Sequence, residues 1–179
     1  ECKPILYPVY TSAGTEITRG FPLKPRAGER SNEPHQMGIW LNYGNVDGFD
    51  FWNNSNCRGN RRPNRGVVQH LKVEKLSEGK GEGFMITGES WIDPSGKELL
   101  SERTEYHFIA NGSTRIIDRI TTLTATGNTV TFKDNKEGMF GIRVARQLEL
   151  PSKDSAALIN AKGKPSSVRA SSNEGVTGN

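Results

Sequence analysis

The stretch LLSERTEYHFIANGSTRIIDRITTLT, residues 99–124, decides the fold class. Its first half alternates, with Thr104, Tyr106 and Phe108 on one face against Arg103, Glu105 and His107 on the other. Its second half does the same, with Ile117, Arg119, Thr121 and Leu123 against Ile116, Asp118, Ile120 and Thr122. A period of two places successive side chains on opposite faces of a strand. Between the halves stands Ala110-Asn111-Gly112-Ser113, whose Asn-Gly pair accepts the positive φ angles of a tight hairpin turn. Two alternating runs about such a turn predict an antiparallel hairpin.

Working outward, the pattern repeats. Gly83 to Ile92 carries Phe84, Ile86 and Trp91, and Val67 to Leu76 places Val67, Leu71 and Val73 on one face. Ser77-Glu78-Gly79-Lys80-Gly81 and Asp93-Pro94-Ser95-Gly96 are turn chemistry between them. Four strands joined by short turns predict a meander. Gly38 to Tyr43 is a further short strand. Gly138 to Leu148 is another, with Phe140, Ile142, Val144 and Leu148 facing away from Arg143. Towards the N-terminus, Pro8 interrupts Ile5 to Tyr10 as in an edge strand, and Thr15 to Thr18 reads as the returning arm of a hairpin. Residues 20–35, with Gly20, Pro22, Pro25, Gly28 and Pro34, read as one long irregular loop. The expected fold is an all-β antiparallel sandwich over residues 1–150. Residues 151–179, rich in Ser, Lys, Gly and Ala, read as a polar loop or tail leading to a further C-terminal part of a longer protein.

Composition agrees with this reading. The chain has 179 residues, and Gly 20 with Pro 9 suits short strands and turns better than helices. No apolar run approaches the ~18 residues of a membrane helix. The net charge of +4 is small and dispersed. Its one basic cluster, Arg58, Arg61, Arg62 and Arg65, sits among Gly, Asn and Pro without interleaved aromatics, so no nucleic-acid partner is expected. Cys2 and Cys57 make no disulfide framework; a single bridge between them is left open.

There is no P-loop, nucleophile elbow, HExxH helix or EF-hand loop. Three polar segments could carry chemistry. In residues 29–40, His35 follows Pro34 at a loop-to-strand junction, where a group titrating near neutrality suits proton transfer. In residues 40–54, Trp40, Tyr43 and Trp52 could form a platform for a sugar ring, with Asp50, Asn42, Asn53 and Asn54 bonding its hydroxyls. In residues 133–143, Glu137 is a candidate acid–base carboxylate, and Lys136 and Arg143 could hold an anion or a ring oxygen. His70, inside a strand beside Val68, is read as half-buried or as a second imidazole for catalysis. Each segment also has a plain structural reading: a capping His, core aromatics with turn Asp and Asn, and a charged hairpin tip. No cofactor is expected. His35 and His70 with a carboxylate could bind a divalent metal, although no ligand spacing marks one.

At these segments the chain resembles a bacterial family of unknown function, DUF6807, also labelled a methane-oxygenase PmoA family. The residues that carry the resemblance are LYPVYT (6–11), TRGFP (18–22), Gly28-Glu29-Arg30 with Pro34-His35, WLNYGNVDGFDFW (40–52) and FKDNKEGMFGIRVA (132–145). The methane label does not fit, since that oxygenase is built of apolar membrane helices. The resemblance implies a β-sandwich like that of sugar mutarotases, with this chain as its N-terminal part. It also implies a setting of polysaccharide degradation, and export to the periplasm or medium. The family motif around His35 commonly reads His-Pro-His-His; here Glu33 and Gln36 stand at its first and last positions. Together these readings predict either an enzyme or a binding module. The enzyme would act on a sugar or sugar derivative, with His35 or His70 as acid and Glu137 as base. The alternative is a non-catalytic glycan-binding module in which Trp40 and Trp52 matter and the carboxylates do not.

Overall fold

The structure, a computed structural model, describes residues 2–54 and 63–149, and the backbone of two short strands beyond them. Its strands are β1 (Ile39–Tyr43), β2 (Val67–Gly79), β3 (Glu82–Ile92), β4 (Glu98–Asn111), β5 (Thr114–Ala125) and β6 (Gly138–Ile142). The short strands β7 (Leu158–Ile159) and β8 (Pro165–Ser166) follow. A 3-10 turn at Arg146–Leu148 is the one helical element among the described residues. No helix there is long and apolar enough to cross a membrane. The fold is all-β and antiparallel, as expected.

Strands β2 to β5 form a four-stranded meander, and β1 pairs with β6 in a second, two-stranded sheet. The 99–124 hairpin closes at Asn111↔Thr114, with Gly112 at φ 53°, and its register runs to Leu100↔Ala125 without a shift. Thr104 and Tyr106 are buried while Arg103 is exposed, so the alternation in sequence reports the faces correctly. Strand β2 departs from the expected alternation. Its register slips between His70 and Lys72 and again between Val73 and Lys75, and each bulge re-aims the residues beyond it. Beyond Val68 the whole strand is exposed on both faces, Leu71 and Val73 included.

The last expected strand ends early. β6 stops at Ile142, Val144 makes an isolated bridge to Thr18, and Leu148 lies in the 3-10 turn rather than on the face of Phe140. The N-terminal hairpin is present: Tyr10 bridges Glu16 and Ile17 donates to the Val9 carbonyl around Gly14. Leu6 in turn bridges Ile39, extending the β1–β6 layer by one segment.

The core sits at one end of the sandwich. Val46, Phe51, Val68, Trp91, Leu99 and Leu100 are buried together, with Leu41, Tyr43 and Phe132 packed against them. Trp91 meets Phe51 at 4.9 Å between ring centroids. Truncating so large a buried ring typically costs about 3–5 kcal/mol. Away from this end the layers part, leaving a cleft of about 420 Å³ between Leu41 and Phe140 on one side and Ile117, Arg119 and Thr121 on the other.

Cys2 is engaged in a disulfide, whereas Cys57, Arg58, Arg61 and Arg62 lie outside the described residues. So do the side chains of residues 151–179, on which the expected tail falls.

Candidate functional site around His35

Strand β1 alternates, so Leu41 and Tyr43 face the meander while Trp40 and Asn42 face away. That outward face is the floor of the site. Across the pairing, Trp40 meets Gly141 and Asn42 meets Met139, and Arg143 lies one step beyond. Gly141 has to be small: a Cβ there would stand 2.4 Å from the Trp40 ring.

Two loops cover this floor. The first, residues 28–36, is gathered by the buried side chain of Arg19. Its Nη1 donates to the carbonyls of Arg30 and Asn32 at 3.1 and 2.9 Å, and its Nη2 to those of Glu33 and Gln36, both at 2.9 Å. Burial and the nearby Arg143 guanidinium push the Arg19 pKa down to about 10, which leaves it charged at neutral pH. Arg143 clamps the same loop from the strand side, through Gln36 Oε1 at 2.8 Å and Asn32 Oδ1 at 3.3 Å. Glu29 anchors the loop's start, accepting from the Gly20 amide and from Arg26. The long loop of the sequence reading is thus an ordered one, built on arginine-to-carbonyl bonds that no periodicity announces.

The second loop follows β1. Asp50 Oδ1 accepts from the amides of Trp52 and Asn53 at 2.9 and 3.0 Å, a local turn that swings Trp52 against Trp40. The two indoles meet edge to face at 5.3 Å and are both buried. Neither presents an open ring face, so they serve as packing beneath the site rather than as a stacking platform. Tyr43 packs on the core against Phe132. Asn42 Nδ2 donates to the Phe51 carbonyl and Asn54 Nδ2 to the Cys2 carbonyl, so both tie loops to strands.

His35 lies near the end of the first loop and is itself buried. Its carbonyl accepts from the buried Lys3 ammonium, which also reaches Asn54 Oδ1 at 3.4 Å and lies 5.1 Å over the Trp40 ring. Its Nδ1 is 3.5 Å from Glu33 Oε2. Burial, then Lys3, pushes the imidazole pKa down, against the opposing pull of Glu33, Glu137 and Asp50. The first two effects win, so the surroundings disfavour the charged imidazolium form. Glu33 and Gln36 are both in use: one carboxylate faces the imidazole and one amide carries Arg143.

Glu137 is brought to this site by the loop before β6. Asn135 Oδ1 accepts from its amide at 2.8 Å, and its carbonyl accepts from Gly44 at the end of β1. Gly44 permits that approach, because a Cβ there would lie 2.6 Å from Asn135 Oδ1. Lys136 is 88% exposed and lies 3.5 Å from Glu137 Oε1. Of the residues singled out from sequence, Asp50 and Glu137 therefore act electrostatically on His35, while Trp40 and Trp52 pack against each other. Arg143 is committed to the loop.

His70 lies elsewhere, on β2 of the meander. Its Nδ1 is 3.2 Å from Glu89 Oε1, and its side chain is 46% exposed. Around it is a buried polar cluster that the sequence reading did not single out. Glu89 pairs across the sheet with Glu102, which accepts from Trp91 Nε1 at 2.8 Å, Thr104 Oγ1 at 2.7 Å and Arg119 Nη2 at 2.7 Å. Burial pushes the Glu89 carboxyl pKa up, against hydrogen bonds from Thr87 and His70. The signal was available: Glu89 is in phase with Trp91, and Glu102 with Tyr106. A carboxylate on the apolar phase of a central strand asks for a partner. Among the described residues no group of three His, Cys, Asp or Glu side chains has the arrangement to hold a metal ion.

No curated protein and no solved structure matches the chain significantly. A family model does match, over residues 1–177, and its description is that of a family of unknown function. That match, over nearly all of the chain, makes this protein a member of the DUF6807 family.

Proposed function

We propose that the His35 site transfers protons on a sugar or sugar derivative, with His35 and Glu137 as its acid–base pair. The observation that carries this reading is the buried imidazole of His35, with the Glu33 carboxylate 3.5 Å from its Nδ1 and Glu137 and Asp50 acting on it electrostatically. Packing alone does not call for such a group, nor for a buried arginine committed to four carbonyls of the loop that presents it. Proton transfer needs both: a titratable pair, and a rigid mount.

The sequence reading made the histidine the acid and Glu137 the base. Our reading gives the histidine the other role: burial disfavours its charged form, so His35 starts uncharged and acts as the proton acceptor. His35 then takes a proton from a substrate hydroxyl or carbon, and Glu137 exchanges the second. Epimerisation, elimination and hydrolysis all use such a pair. The sugar class follows from the family resemblance, as does export. A disulfide at Cys2 supports an oxidising compartment such as the periplasm or medium. The buried Trp40–Trp52 pair weighs against a module that binds glycans by ring stacking alone.

The test is turnover and binding in Glu137→Gln. The expected result is a loss of turnover of about 10²-fold or more with binding nearly intact, the usual scale of a removed acid–base group. Unchanged turnover removes Glu137 from the mechanism.

A further inference from the structure

The two inward carboxylates of the meander are not equally accounted for by the fold. His70, Glu89 and Glu102 lie directly opposite one another on β2, β3 and β4, so their side chains share one face of the sheet. Glu102 is satisfied at both oxygens, Oε1 by Thr104 and Arg119 and Oε2 by Trp91, and the Arg119 guanidinium balances its charge. Glu89 is as deeply buried, at 2% exposure. It has no such cation beside it among the described residues, and its Oε2 has no hydrogen-bond partner there. Burial and the Glu102 charge opposite both work against its ionised form. Replacing so costly a buried charge by an apolar residue of similar volume is often neutral or stabilising. Packing alone therefore does not call for Glu89.

What Glu89 does have is His70. Its Oε1 lies 3.2 Å from the imidazole Nδ1, while the His70 side chain is 46% exposed. A carboxylate on Nδ1 fixes the ring and holds the proton on that nitrogen, which leaves the Nε2 lone pair free on a half-exposed ring. A base oriented by a third group is the arrangement from which proton transfer is built. The register of β2 slips directly after His70, and bulges next to reactive groups re-aim the side chains they carry. The other charged groups around the pair are already committed, Arg119 to Glu102, and Lys72 and Arg103 to Glu74. We propose that His70 and Glu89 form a second proton-transfer dyad, with Glu89 as its positioning residue and His70 Nε2 as the acceptor for the proton of a hydroxyl-bearing ligand. The proton passes from the ligand oxygen to Nε2, Nδ1–H keeps its bond to Glu89, and the carboxylate balances the charge formed on the ring. This inference stands independently of the chemistry at His35.

The test reads His70 in the full chain in two ways, each variant first checked for wild-type circular dichroism. Nitrogen NMR gives the ring tautomer, and mass spectrometry gives the rate of acylation by diethyl pyrocarbonate, which attacks a free, neutral ring nitrogen. His107, on the opposite face of the sheet against Phe84, is the internal reference. Neutral His70 is expected to carry its proton on Nδ1. Glu89→Gln keeps an acceptor without the charge and should slow acylation of His70 several-fold. Glu89→Leu should also move the proton to Nε2, with His107 unchanged in both. A pool of mono- and disaccharides, as hydroxyl probes, should slow acylation of His70 but not of His107, in the wild type and equally in His35→Ala. That last variant separates this site from the one at His35. Wild-type His70 protonated on Nε2 overturns the proposal, as does an acylation rate equal in wild type and Glu89→Gln. So does a rate that the saccharides leave unchanged.

Discussion

Replacing Arg19 by Ala removes the one side chain that gathers four carbonyls of the 28–36 loop. Hydrogen bonds from a charged donor contribute about 1.5–3 kcal/mol each, so a simple sum exceeds 6 kcal/mol. That sum is too large here. Asn32 and Glu33 are exposed, and water can replace the lost donor at their carbonyls, whereas the Gln36 carbonyl lies in a half-buried turn. We expect a net loss of about 3–4 kcal/mol, a large share of the ~5–15 kcal/mol that holds a domain folded. With a urea m-value of about 2 kcal/mol/M, the midpoint should fall by about 1.5–2 M. Arg19→Lys, able to reach one or two of the four acceptors, should lose about half as much. The imidazole of His35 provides a second readout. Once its loop loosens, burial no longer holds the ring neutral, and its titration by NMR should move up towards the ordinary value near 6.5. A loss below about 1 kcal/mol, or an unmoved His35 titration in the Ala variant, would refute the idea that Arg19 mounts the site.

Two pH dependences follow from the buried groups. His35 has a folded pKa below its unfolded one, so the unfolded chain takes up a proton first and stability falls as pH drops below about 6.5. His35→Gln should lose less stability than wild type between pH 7.5 and 5, read from urea midpoints; equal losses would contradict the buried neutral ring. Glu89 has the opposite sign. Its folded pKa is raised by burial, so its contribution is present below the ordinary glutamate pKa and is lost as pH rises through the folded value. Glu89→Gln should therefore gain on wild type from pH 4 to pH 8, and a difference independent of pH would show that Glu89 titrates as an ordinary carboxylate.

The meander was legible because alternation is a local property. Residues 99–124 state their own faces and turn, and the structure places them as read. β2 was misread because its buried residue is Val68 rather than Val67, its register slips after His70 and Val73, and the strand beyond Val68 is exposed on both faces, none of which its residues announce. The site was legible only in part. His35, Asp50 and Glu137 could be picked out as polar residues at loop and strand junctions, yet their convergence depends on Gly44 admitting the 135–137 loop and on Arg19 folding the 28–36 loop. Both are long-range contacts. Trp40 and Trp52 looked like a platform because exposure is not written in a sequence; an alternating β1 with a second layer over its outer face buries them. The Glu89–Glu102 pair shows the reverse failure. Each carboxylate sits on the inward phase, but an alternating strand is easily read by its apolar residues alone.

The central claim is proton transfer on a sugar at His35 and Glu137. Its most direct test is proton NMR of the protein mixed with a pool of mono- and disaccharides, observing saturation transfer for binding and anomeric signals for turnover. We predict saturation transfer together with new or exchanging anomeric signals, the latter lost in both His35→Ala and Glu137→Gln. Saturation transfer with the sugars unchanged would contradict catalysis and leave a binding module, and silence in both would contradict the carbohydrate reading altogether.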